Sequence, residues 1–280
     1  LNASDLHEII LSSAPSITID GKLYYIVEND RKVLDTQVAK YAESVVAASS
    51  TTTQGPQKSS ELVSATEDDR KMRWKAPTVL TWAMDRASFN GNEERLANAL
   101  HFCTRATEDW NQAALDRNIF DKIRFEPAAE GREPAFRFAF HPFSDQPGLL
   151  ALAFFPNAPK EDRVVYIGPG ALDAFVGYDQ VGIIRHELGH VLGFRHEHIR
   201  KESTKGMTAE EMALVEQWVT GGIGGDALTK FDGQSVMHYP VDPAHGLGTY
   251  DFELSDTDKE GFGALYSAPY DPATIREFTI

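Results

Sequence analysis

Between Glu93 and Ala114, Leu96, Leu100, Cys103, Ala106, Trp110 and Ala114 recur at three- and four-residue steps with charged and amide residues between them. That period matches one apolar face of a long α-helix. Elsewhere the hydrophobic runs are short. "TVLTWAM" (78–84), "KIRFEPA" (122–128), "AFRFAFH" (135–141), "LLALAFFP" (149–156) and "RVVYIG" (163–168) read as strands separated by Pro, Gly and Asp. Near the start, "SITIDGKLYYIVEND" (16–30) reads as two strands joined at Asp20-Gly21, a dipeptide that favours a tight hairpin. "VLDTQVAKYAESVVAA" (33–48) reads as a short helix. Further helices are expected from near Gln180, over about 208–219, and over 256–267, where Ser255 is placed to cap.

The order strand, helix, strands, helix, then loops and a last helix predicts an α+β fold. A twisted sheet in the first half would pack on two long helices. An irregular second half would lie below it, with a cleft between. Residues 49–71, "SSTTTQGPQKSSELVSATEDDRK", are Ser/Thr-rich and lack aromatics. A segment so poor in apolar side chains reads as a linker. The expected division is therefore 1–48 as an N-terminal segment, 49–72 as linker, and 73–280 as the main domain.

Composition adds exclusions. The net charge of −15 disfavours nucleic acid or an anionic membrane as partner. No run of about 18 apolar residues is present, so no membrane span is expected. The single cysteine, Cys103, forbids an intrachain disulfide and falls on the apolar helix face, where a buried structural thiol is expected. The chain opens at Leu1 and not Met, as it would if a signal peptide had been removed.

Its chemistry is concentrated in "HELGHVLGFRHEH" (186–198), where thirteen positions hold four histidines and two glutamates. On a helix a step of four residues turns about 400°, so His186 and His190 project from one face. Both can reach one metal ion. Glu187 is turned about 100° away, wrong for a ligand and right for a base acting on the attacking water. Gly193 can end the helix in a left-handed conformation and bring His196 back as a third ligand. Gly189, mid-helix, is better explained by close packing against a neighbour. Three neutral imidazoles suit one Zn2+ ion with an open position, and zinc with a glutamate base hydrolyses peptide bonds. The pattern H-E-x-x-H-x-x-G-x-x-H would arise by chance in a chain this long on the order of once in ten thousand.

The motif resembles the metzincin clan of zinc peptidases, and most the astacin family. Glu197 follows the third histidine as in astacins, and "HEHIR" (196–200) matches their usual continuation. "SVMHYP" (235–240) resembles the clan's Met-turn, with Met237 41 residues after His196. The resemblance implies a methionine lying beneath the ligands, and it makes Tyr239 a labile zinc ligand that assists the transition state. It gives Glu197 a structural role, holding the Met-turn region or the chain end of the mature enzyme. No ligand role follows for His198 or His238. "LLALAFFPNAPKEDRVVYIG" (149–168) resembles the edge strand and its neighbour above a metzincin cleft. Extended substrate would pair with such an edge. One departure stands out: vertebrate-type astacins carry two disulfides, so this chain resembles a microbial-type relative. Whether Arg195 or Arg200 selects acidic substrates is left open.

Astacin proenzymes block the zinc with an aspartate in a Phe-x-Gly-Asp pattern, which is absent here. Asp30 is the nearest candidate for such a latency ligand and Asp20 the second, although aspartate is also ordinary in turns. Cys103 sits in the wrong place for a cysteine switch. Lys58, Arg70, Lys71 and Arg73 are candidate activation points. Asp251, Asp256 and Asp258 read as helix-cap and surface groups, not a calcium cage. The expectation is a monomeric, secreted or extracytoplasmic zinc endopeptidase acting on protein or peptide, made as a latent proenzyme. Two alternatives stay open: a protein-binding module with an inactive or structural zinc site, and an active peptidase whose N-terminal segment docks a partner.

Overall fold

The computed structural model describes residues 2–27, 30–43, 63–67, 70–173, 177–197, 225–228, 231–240, 246 and 248–280. In chain order its main elements begin with α1 (Ala3–Ser13), β1 (Ser16–Ile19), β2 (Lys22–Val27) and β3 (Arg31–Leu34). β4 (Val63–Glu67), β5 (Arg70–Trp74), β6 (Thr78–Asp85) and α2 (Glu93–Asp116) follow. Then come β7 (Ile123–Pro127), β8 (Phe136–Phe140), β9 (Ala151–Leu152), β10 (Val164–Ile167) and α3 (Gln180–Val191). β11 (Gly225–Ala227), α4 (Asp256–Ser267) and β12 (Ile275–Phe278) complete the set.

The N-terminal segment is a small module with its own interior. α1, which the hydrophobic pattern does not reveal, starts on a reciprocal cap. Asn2 Oδ1 accepts from Asp5 N at 2.9 Å, and Asp5 Oδ2 accepts from Asn2 N at 3.3 Å. β1, β2 and β3 form an antiparallel sheet in that order. Its first turn sits at Asp20-Gly21, with φ of 50° and 76°, the left-handed pair a two-residue hairpin needs. The expected helix from Val33 starts later, because Val33 and Leu34 finish β3; helical backbone runs over 38–43. Leu6, Ile10, Val27, Val33, Val38, Tyr41 and Ala42 close a core to which no residue beyond 43 contributes among the described residues.

Ordered strands begin inside the expected linker. β4 and β5 pair with each other and extend into a four-stranded sheet, order β11-β4-β5-β12, with β12 parallel to β5. Their composition gives little to bury, and their partners come from far along the chain, which is why the local pattern does not show them. Ser64, Ala65, Met72, Arg73 and Trp74 are buried. Arg73 donates to the Leu265 and Ala268 carbonyls at 2.8 Å each and pairs with Glu277 at 2.7 Å. It is therefore no accessible activation point, and Arg70 and Lys71 lie in the same strand. Lys58 lies outside the described residues. A chain started at Arg73 would lose β4 and the Met72 side chain. We expect urea unfolding to find it less stable than a chain started at Ser60 by about 2–5 kcal/mol.

The main sheet has order β7-β6-β8-β10-β9, with four parallel strands and an antiparallel edge strand. "LLALAFFP" supplies only two residues to that edge, paired as Tyr166↔Leu152 and Ile167↔Ala151. α2 buries Leu96, Ala99, Cys103, Ala106, Trp110 and Ala114. Leu100 departs from the expected face and is 40% exposed. Burial pushes the Cys103 thiol well above its usual range. α3 packs on α2, where Trp110 Nε1 donates to the Arg185 carbonyl at 2.9 Å. The architecture is the α+β arrangement that the pattern predicts. The helix expected over 208–219 lies outside the described residues. Among the described residues, no helix is long and apolar enough to cross a membrane.

Candidate metal centre

α3 is fixed at both ends. Asp179 caps its start, accepting from Gly182 N at 2.9 Å. At its close, Trp74 Nε1 donates to the Val191 carbonyl at 2.7 Å and Tyr266 Oη to the Leu192 carbonyl at 2.9 Å. These partners satisfy carbonyls that a buried helix end would otherwise leave bare. Gly193 then reverses the chain at φ 100°. A Cβ there would also lie 2.6 Å from the Met72 carbonyl oxygen, so glycine is required by conformation and by space. At Gly189 a Cβ would come within 2.3 Å of Met237 Sδ. The mid-helix glycine admits the methionine beneath the histidines.

His186, His190 and His196 are all buried and converge. His196 Nε2 is 3.2 Å from His186 Nε2 and 3.2 Å from His190 Nε2. The ring orientations follow from the opposite nitrogens. His186 Nδ1 donates to the Val236 carbonyl and His190 Nδ1 to the Phe194 carbonyl, both at 2.7 Å. Both rings therefore turn an Nε2 lone pair inward. His196 has a single Nε2 proton to offer and three acceptors around that nitrogen. A cation at the convergence resolves the conflict, and three imidazole nitrogens with one oxygen suit zinc. The donor set fits the ion.

The oxygen is supplied by Asp30, from the turn before β3. Its Oδ2 lies 3.1 Å from His186 Nε2 and 2.9 Å from His196 Nε2, and its Oδ1 is 3.5 Å from His190 Nε2. Among the described residues, these four make the group able to hold a metal. Burial alone would raise the Asp30 carboxyl, but the imidazoles that face it, His196 and His190 foremost, hold it well below the usual range. The Tyr239 hydroxyl donates a short hydrogen bond to the same Oδ2. Its ring stacks on His186 at 5.3 Å between centroids. Asp20 sits instead in the first hairpin turn.

Glu187 is buried beside the histidines, and its Oε2 has no hydrogen-bond partner among the described residues. Burial first, and the nearby Asp30 charge second, raise its carboxyl well above the usual range. Met237, His238 and Glu197 are buried together. Glu197 N donates to the Met237 carbonyl at 2.8 Å, and Asp232 N donates to Glu197 Oε1 at 3.2 Å. His238 Nδ1 donates to the Tyr239 carbonyl at 2.7 Å, and burial lowers its pKa to about 4, so the ring is neutral. Arg195 is buried, while His198 and Arg200 lie outside the described residues.

One residue at this centre departs from its expected place. Asp258 does cap α4, but it is fully buried and not on the surface. It accepts from Ser235 Oγ at 2.5 Å, Val236 N at 2.8 Å and Ser255 N at 3.0 Å. The capping pattern Ser255-x-x-Asp258 is legible in the sequence; the second half of its task, holding the turn that carries Met237, is not. Beside the centre is a cavity of about 710 Å³ whose lining includes Leu149, Leu150, Tyr178, Ile183, Glu187 and Phe252.

A match to a family of known proteins falls on the same segment. Residues 171–246 match the family model "Astacin", a family of peptidases. Tolloid-like protein 2 of Mus musculus and of Homo sapiens are each 33% identical over 78 residues, 26% of this chain and 8% of each relative. Tolloid-like protein 1 of Homo sapiens matches to the same extent. The chain thus spans a small part of the length of these relatives. Among solved structures, high choriolytic enzyme 1, a hatching-enzyme zinc protease of Oryzias latipes (medaka), is 16% identical. That match covers 70% of this chain and 95% of the fish protein at a TM-score of 0.41. Over residues 171–246, the segment that carries its histidines, the chain is similar to the astacin family of peptidases.

Proposed function

We propose that this protein is a zinc endopeptidase made in a latent form, with Glu187 as general base and Asp30 as the group that blocks the centre. The observation that carries the reading is the Asp30 carboxylate, set within 3.5 Å of all three histidine Nε2 atoms by a segment outside the matched domain. His186, His190 and His196 would hold the zinc. When bound, the ion would acidify water and polarise the scissile carbonyl.

The chain's own groups do the rest. Glu187 takes a proton from the attacking water and delivers it to the departing amine nitrogen. Tyr239 now donates to a carboxylate oxygen; with Asp30 gone, the same hydroxyl is placed to donate to the substrate oxygen as it gains charge. Leu149, Leu150, Ile183 and Phe252 give a substrate side chain room beside Glu187. While Asp30 is seated, neither substrate oxygen nor water has a place. The reading includes an extracytoplasmic setting, as the family resemblance implies. It also includes a monomer, since one chain supplies every group.

The test compares the intact chain with one starting at Ser60 on an unfolded protein, each with zinc counted. The shorter chain is expected to hydrolyse it, while the intact chain holds zinc and scarcely does. Zinc without hydrolysis in both would hand the case to a binding module. Asp30→Ala in the intact chain removes charge-assisted contacts worth about 1.5–3 kcal/mol each. Hydrolysis is expected to rise about tenfold to a hundredfold. No rise would remove Asp30 from the role.

A further inference from the structure

We propose that the N-terminal module binds the catalytic domain through a second surface, apart from the metal centre, and remains bound there after the chain between 43 and 63 is cut. The inference rests on the latency reading above and extends it: cutting the connection is not enough to activate.

The three-stranded sheet has two apolar faces, because alternate side chains point opposite ways. Val27 and Val33 face the module's own core, with Tyr25 packed against it. Ile17, Ile19, Tyr24 and Ile26 face the other way and bury against Phe143 and Leu152, with Leu149 and Tyr166 alongside. Three polar contacts fix the register of that face. Asp162 Oδ1 accepts from Lys22 Nζ at 2.7 Å and from Tyr24 Oη at 2.9 Å. Lys32 Nζ donates to the Val164 carbonyl at 3.3 Å and lies 4.4 Å from the Tyr166 ring centre. Burial pushes the Tyr166 hydroxyl up to about 12, so it stays neutral beneath that lysine.

None of these contacts passes through residues 44–62, and none involves Asp30. The module brings its own core to the encounter, so docking orders little that is not already ordered. A cut leaves both surfaces untouched and removes only the tether, whose contribution is a local concentration in the millimolar range. The occupant of the Phe143–Leu152–Tyr166–Asp162 surface is thus residues 2–43 as a separate chain. Release needs a second event, such as cleavage within the module.

The experiment uses the full chain with a recognition sequence for a site-specific protease in place of residues 51–56. Wild type, cut to completion, is expected to co-elute as two pieces in size exclusion and to stay as inactive as uncut protein. Asp162→Ala should weaken retention about 10- to 100-fold, most of it from the lost Tyr24 hydrogen bond to a charged acceptor, since the half-exposed Lys22 pair adds little. On dilution the cut variant should lose the module and gain activity, while uncut Asp162→Ala stays latent. Digesting the released module with trypsin checks that both catalytic domains reach equal activity. If cut wild type is fully active with its module free, the inference fails and latency stands. Activity in the uncut chain would instead sink the latency reading. Retention within twofold of wild type in cut Asp162→Ala would show that this surface does not hold the module.

Discussion

Alanine at position 187 is expected to leave one zinc per chain and to lower hydrolysis of an unfolded protein by about 10²- to 10⁴-fold. The zinc should stay because Glu187 projects about 100° from His186 on α3 and takes no part in holding the ion. The three imidazoles keep their places, and the Val236 and Phe194 carbonyls that orient His186 and His190 are not touched by the substitution. On the proposed mechanism, what goes is the buried carboxyl group that would take the water's proton, whose Oε2 has no hydrogen-bond partner among the described residues. The loss should fall on kcat more than on KM, since a base acts in the transition state and binds substrate little. Kinetics on the chain from Ser60, with zinc counted by emission spectroscopy, decide the point. A variant that cleaves at the wild-type rate would end the proposed mechanism. One that also loses zinc would make Glu187 a structural residue.

The largest effect on stability is expected at Asp258. Its carboxylate accepts from a serine hydroxyl and two backbone N–H groups, and joins the start of α4 to the turn beneath the histidines. Asp258→Ala strands three donors and should cost about 3–5 kcal/mol in urea unfolding. Because the Val236 carbonyl orients His186, zinc affinity should fall too, by about 10- to 100-fold. Burial raises the Asp258 pKa from 3.8 to about 6, against the pull of its hydrogen bonds. Between these values the folded chain holds more protons than the unfolded one. This group's contribution to stability therefore declines as pH rises from about 4 to about 6 and is level above that, a change of roughly 3 kcal/mol. Asp258→Asn cannot ionise, so wild type minus Asn variant should show that decline when unfolding is compared at pH values of about 4 and about 6.5. A flat difference would mean the carboxyl titrates normally.

The centre is legible where its parts sit close together in sequence. Four- and six-residue steps put His186, His190 and His196 within one turn and one reversal of the chain, and Gly193 announces the reversal. Asp30 is 156 residues from His186, and a lone aspartate in a turn carries no mark of what it will face. From sequence it can be named only as a candidate. α1 has a readable signal in the Asn2-x-x-Asp5 cap. Its apolar residues suggest no clear face, because only Leu6 and Ile10 are buried. β4 and β5 have none, since their stability comes from strands 11 and 12, far along the chain, and a local reading of "SELVSATEDDRK" cannot see a partner. The Asp162 anchor is hidden for the same reason: its lysine and tyrosine lie 140 and 138 residues upstream.

That distant pairing also sets an order of assembly. β5 lies beside β12, so the bond from Arg73 to Glu277 closes a loop of 204 residues. Loops that long close late, and the elements that depend on them fold slowly. On a ribosome residues 2–43 emerge before the other elements, and among the described residues they hold every partner in the module's core. The histidines follow, but the sheet under Gly193 gains its last strand only when Phe278 has been made. On the latency reading, each nascent molecule therefore builds the proposed blocking module before the domain it would block. The interval when ligands are present and the floor beneath them is not falls wholly within the time when Asp30 is already at hand.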